Sequence, residues 1–295
     1  MRVTFDVIRD GLSAISAAAD QMAAAQQQVS TGRRISGVGD DPLAAQQAVG
    51  EHGTLGAIDA YTRTANSASA RLASADTVLD GFIDKLSAAV VAGTGARGST
   101  ADPAARAAAA AEVRSLQQSL LGDINTTFNG RYLFAGTQAN SVPYVNSGGV
   151  WTYQGDANTV QVEVDRNRLV AVTLDGQSIA QGSDPADVFT VLDQLATAIN
   201  LGDNDGIGTA VAGLERALGR ANLAQSRLGA DERGIDDASA RLLAMRGASE
   251  ARRSSLEDAN MPEAITRMTT ADNAYRAALG AVSSAERQSL LDYLR

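Results

Sequence analysis

Two heptad stripes, one at each end, constrain this chain more than anything between them. From Phe5 the apolar or small positions fall at Phe5, Ile8, Leu12, Ile15, Ala19, Met22, Gln26 and Val29, in alternating steps of three and four. That spacing gives a helix one narrow stripe with which to pack along another helix. The far end answers with Ile265, Met268, Asp272, Tyr275, Leu279, Val282, Glu286, Leu290 and Tyr293, with Leu294 beside the last. Stripes at opposite ends predict that the chain ends pair. Burying the large side chains of one stripe does not by itself offset the entropy of ordering its backbone. The N-terminal segment therefore requires the C-terminal one, and further subunits besides.

Both stripes are bounded by breaks. Gly32 ends the first helix, and Asp41-Pro42 opens the next as N-cap and first helical residue. The candidate joint is Gly32, Arg34, Ile35, Asp40, Asp41 and Pro42. On the return side the heptad phase slips at Asn260-Met261-Pro262. Matching interruptions imply two stacked helical layers.

Between the breaks, a short helix is expected to weaken at Gly50, Gly53 and Gly56, followed by heptads from Leu55 to Val90. Asp102-Pro103 and Asp184-Pro185 read as further helix starts. The period falls to two within residues 131–182, with strands expected over 131–137, 150–153, 160–165 and 169–174, and a surface loop over 138–149. A long return helix runs from Ile207 to Leu256. The predicted fold is mainly α with a small β insertion: a long antiparallel helical bundle or coiled coil with both termini paired. Its predicted parts are residues 1–41, 42–130, 131–182, 183–258 and 259–295.

Composition narrows the function. Net charge is −9 and the chain has no cysteine, which argues against nucleic acid or anionic membrane as main partners and excludes disulfides. Asp6, Arg9, Asp10 and Asp20 interrupt the apolar run a cleavable secretory signal needs, so cytoplasmic residence or export by another route is expected. His52 is the only histidine; with no cysteine it builds no zinc site, and nothing places it in a catalytic triad. The glycines at 32, 37 and 39 follow a helix rather than a strand and lack the Gly-Lys-Ser/Thr ending of a phosphate loop. Asp203, Asp205 and Gly206 lack the remaining ligands of a calcium loop. No enzyme, cofactor or metal is predicted.

The stretch Val29-Ser30-Thr31-Gly32-Arg33-Arg34-Ile35, followed by Asp40-Asp41, resembles the bacterial flagellin family, as does Leu256-Glu257-Asp258-Ala259-Asn260 before a heptad helix. Phe128-Asn129-Gly130-Arg131-Tyr132-Leu133-Phe134-Ala135-Gly136-Thr137 and the ending Ser289-Leu290-Leu291-Asp292-Tyr293-Leu294 are more similar to its hook–filament junction branch than to flagellin proper. The resemblance implies a structural protein exported by the flagellar type III apparatus into the extracellular flagellum. Copies would form a ring, with hook-associated protein 1 below and flagellin above, after passage with a cytoplasmic export chaperone. A short flagellin is the alternative within the family, and a cytoplasmic coiled-coil scaffold the alternative outside it. The candidate assembly surface is Phe5, Ile8, Leu12, Ile15, Met22, Val29, Ile265, Met268, Tyr275, Leu279, Val282, Leu290, Tyr293 and Leu294.

Overall fold

A computed structural model describes the backbone of residues 2–97 and 102–293, and the side chains of 9–97 and 102–284. Seven helices are present in the described residues: α1 Arg2–Thr31, α2 Pro42–Ala96, α3 Pro103–Ile124, α4 Gly176–Ala180, α5 Val188–Leu201, α6 Asn204–Glu257 and α7 Met261–Tyr293. Six short strands lie between α3 and α4: β1 Thr127–Phe128, β2 Arg131–Tyr132, β3 Tyr144–Ser147, β4 Val150–Tyr153, β5 Gln161–Asp165 and β6 Arg168–Ala171. They form three separate antiparallel hairpins. The chain divides into two compact units, Met1–Ile58 with Ala244–Arg295, and Asp59–Leu243. The division falls inside α2 and α6, not at the breaks that bound the terminal stripes.

In the second unit, α2 and α6 run antiparallel: Gly93 approaches Val211, and Asp76 accepts from Gln225 Nε2 at 3.4 Å. Leu72, Leu79 and Leu86 of α2, Leu120 and Ile124 of α3, Phe189, Leu192, Leu195 and Ile199 of α5, and Leu214 of α6 share one apolar core. The Gln117 and Asn125 side chains that reach into it are satisfied by specific partners. Gln117 Nε2 donates to the Phe189 carbonyl at 2.7 Å, and Asn125 hydrogen-bonds both backbone groups of Tyr144. Tyr144, Trp151 and Phe189 stack with centroids 5.0–5.1 Å apart, and Trp151 Nε1 donates to Asp193 at 3.0 Å.

Four sequence expectations change. Gly50, Gly53 and Gly56 do not interrupt α2, which is continuous over 55 residues, about 80 Å; their cost of about 1 kcal/mol each is outweighed by burial of Ala44, Ala48 and Ile58 along the same helix. Residues 131–137 pair as a strand only over β2. The chain then turns inward, burying Leu133, Phe134 and Ala135, and bends at Gly136, where φ is +63°. The stretch 138–149 is not all surface: Pro143 and Tyr144 are buried, and only the β3–β4 tip is exposed throughout. Finally, α5 starts three residues after Pro185. Asp187 caps it, accepting from the Phe189 and Thr190 amides at 2.9 Å, while Asp184 is drawn away by Arg216 and Arg220.

Candidate assembly surface

The terminal pairing begins with small residues. In α1 the face turned inward runs through Gly11, Ile15, Ala18, Met22, Ala25 and Val29, with Ala19 and Gln28 half-buried at its edge; in α7 it runs through Ala264, Met268, Ala271, Tyr275, Ala278 and Val282, with Asp272 half-buried at its edge. Both sets are heptads. A Cβ on Gly11 would stand 2.7 Å from Val282 Cγ2, while Ala25 and Gln28 share a groove with Thr266, Arg267, Thr270 and Ala271. Rising numbers in α1 meet falling numbers in α7, so the pair is antiparallel. Alanine and glycine on alternate layers let the two backbones approach closely.

That phase differs by one residue from the expected stripe at every second layer. Ile15, Met22, Val29, Met268, Tyr275 and Val282 face the partner helix. Leu12, Ile265 and Leu279 turn outward, with 58%, 47% and 42% of their surface exposed. Large apolar side chains are thus left as an unpaired outer stripe, while Ala25 and Ala271 fill the seam at 7% and 8% exposure. Phe5, Ile8, Leu290, Tyr293 and Leu294 lie outside the residues whose side chains are described. The seam that sequence reasoning missed was legible as a second heptad, Gly11-Ala18-Ala25 and Ala264-Ala271-Ala278. Its small side chains make it the weaker apolar signal.

The two breaks meet. Gly32 takes φ +68° and closes α1, its amide donating to the Gln28 carbonyl at 2.9 Å. The Arg34 amide donates to the Glu257 carbonyl at 2.6 Å, and the Ala259 amide to the Gly32 carbonyl at 2.8 Å. The Arg34 guanidinium bridges the Leu256 carbonyl at 2.7 Å and the Asp41 carboxylate at 3.3 Å. Asp41 caps α2 through the Ala44 amide; that bond, then Arg34, holds its carboxyl below the ordinary range. Asp40 folds the intervening loop by accepting from the Ser36 and Gly37 amides, Ile35 is buried, and Pro42 opens α2.

A polar clasp that the sequence did not reveal tightens the same unit. Glu257 receives His52 Nε2 at 2.8 Å and Arg33 at 3.4 Å. Glu51 takes Arg252 Nε at 2.7 Å and the buried Ser249 hydroxyl; these partners hold its carboxyl below the ordinary range. The lone histidine therefore packs as a hydrogen-bonding side chain. Asp203 caps α6, accepting from the Asp205 and Gly206 amides, so the calcium-like residues form an ordinary helix start. Among the described residues no cluster fits a metal ion, and no helix is long and apolar enough to cross a membrane.

Residues 10–139 match the bacterial flagellin N-terminal helical region, and residues 211–294 the bacterial flagellin C-terminal helical region. Flagellar hook-associated protein 3 of Escherichia coli is 30% identical over 154 residues, 52% of this chain and 48% of that protein. The protein of the same name from Salmonella typhimurium is 29% identical over 158 residues, with the same coverage. The match thus spans about half the length of these curated relatives. Among solved structures, Xanthomonas campestris FlgL superposes with TM-score 0.63 at 20% identity, covering 69% of this chain and 99% of that one. The flagellar hook associated protein-3 of Legionella pneumophila superposes with TM-score 0.64 at 14% identity, covering 70% and 98%. At these identities the structures speak to the fold alone.

Proposed function

From the premise that the chain belongs to the bacterial flagellin family, we propose that it is the structural junction between the flagellar hook and the flagellin filament. The observation that carries this reading is the similarity, over half the chain, to proteins named flagellar hook-associated protein 3. The paired ends with their outward stripe supply the physical means. Leu12, Ile265 and Leu279 remain exposed on the single chain and gain burial only against other helices. The role is one of packing, not catalysis.

A junction also needs contacts that do not repeat along the axis, because heterologous contacts that repeat without closing make filaments. Copies form a ring, hook-associated protein 1 lies below it and flagellin above, and a cytoplasmic chaperone holds the C-terminal segment before type III export to the cell exterior. The test is deletion of the gene followed by electron microscopy. Cells are expected to build hooks, shed unassembled flagellin and carry no filaments. Filaments on the deletion strain, or recovery of this chain as the bulk protein of sheared flagella, refutes the junction role.

A further inference from the structure

The unit formed by Asp59–Leu243 carries a basic socket whose arginines form no ion pair among its described residues. Arg63, Thr64, Ser67, Ala68 and Arg71 line one face of α2 and, with Val162 and Val172, enclose a cavity of about 300 Å³. Arg71 is half-buried. Its Nε and Nη2 donate to the carbonyls of Val172 at 2.6 Å and Tyr132 at 2.9 Å. Those two bonds orient the guanidinium without neutralising it. Arg131 on β2 adds a second positive charge nearby; burial first, and then Arg131, lowers the Arg71 pKa. Arg63 stands eight residues before Arg71, about 12 Å along the helix. Among the described residues none of these three arginines pairs with a carboxylate, in a chain whose net charge is −9.

The acid lies on another flank of the same helix. Asp76, Asp80 and Asp84 recur every four residues and span the same ~12 Å; at 3.6 residues per turn they lie roughly 180°, 140° and 100° around the helix from the midpoint of Arg63 and Arg71. Asp80 and Asp84 are exposed. Asp76 stands close enough to Glu232 on α6 to raise that carboxyl, after burial and ahead of Asp236, so this face is crowded with like charge. Opposite charges on two flanks of one helix suit a head-to-tail contact, which closes into a ring when its rotation closes.

We propose that the Arg63–Arg71–Arg131 socket receives the exposed Asp80 and Asp84 carboxylates of a second copy, setting copies side by side. The proposal builds on the reading of the chain as a multi-copy flagellar component. Because the chain has no cysteine, Thr64→Cys combined with Asp80→Cys introduces only designed thiols. Flagella sheared from cells carrying this variant should give a ladder of disulfide-linked copies on oxidation, and neither single variant should. Arg63→Asp, at an exposed position, should reduce incorporation about tenfold, and adding Asp80→Arg should restore it. A chain present in flagella with no ladder and no rescue overturns the socket while leaving the junction reading intact. Cross-links to a chain of different mass overturn it in favour of an unlike neighbour. Should the chain be absent from flagella, the junction reading fails. The socket is then judged by sedimentation of the purified full chain: salt-sensitive association lost in Arg63→Asp and regained in the double variant supports it, and its absence overturns it.

Discussion

Leu279→Asp and Ala271→Asp place the same carboxylate about two turns apart on α7, one outside the α1 seam and one inside it. Leu279 keeps 42% of its surface in solvent, so the apolar burial it loses is about half that of a full leucine, about 1 kcal/mol. The new carboxylate stays hydrated. Ala271 is 8% exposed against Ala24, Ala25 and Gln28. An unpaired carboxylate there costs about 3–5 kcal/mol and should separate the helices. Hydrogen exchange of α1 amides in the full-length monomer reads the difference: Ala271→Asp should speed exchange across residues 15–30, and Leu279→Asp should leave it near wild type. Incorporation into flagella should nonetheless fail for both. The seam variant loses its pair, and the outer variant puts a charge where neighbouring helices pack. If Leu279→Asp assembles normally, the outward stripe is not an assembly surface. If Ala271→Asp leaves exchange unchanged, the small-residue seam does not hold the pair.

Three further outcomes follow from the structure. Tyr144→Phe should raise thermal stability or leave it unchanged, because the buried Tyr144 hydroxyl has no hydrogen-bond partner and its removal relieves a desolvation cost of about 1 kcal/mol; a loss of several degrees would contradict this. Gly93→Ala should destabilise the second unit by about 1–3 kcal/mol in denaturant titration, since its Cβ would sit 2.7 Å from Val211 Cγ2 and 3.1 Å from Leu195 Cδ1. The carboxyl of Asp184 is held low by Arg220 and then Arg216, against the opposing effect of burial, and Glu51 is held low by Arg252 and Ser249. Depressed carboxyls contribute stability above their unfolded pKa values that is lost as pH falls through the folded ones. Melting temperature should therefore drop as pH goes from roughly 5 to about 3, and less steeply in Asp184→Asn.

Local pattern determined much of this molecule. The heptads at both ends, Gly32 as a helix stop, Asp41-Pro42 as a start, the slip at Asn260-Met261-Pro262 and the change of period near Arg131 are encoded within a few residues, because helix periodicity, caps and turn chemistry act over a few residues. The paired ends and the helical class were legible for that reason. Tertiary structure decided what depends on distant partners. Two heptads one residue apart compete for the seam, and close backbone approach selected the one bearing Gly11, Ala18, Ala25, Ala264, Ala271 and Ala278, leaving Leu12 and Leu279 outside. Asp184 resembles a cap in sequence, yet Arg216 and Arg220, more than 30 residues on, claim it and pass the start of α5 to Asp187. Leu133 and Phe134 suit a strand and instead fill the helical core. His52 meets Glu257 across 205 residues of chain. Periodicity fixes which face a residue occupies, and only the folded chain brings a partner to that face.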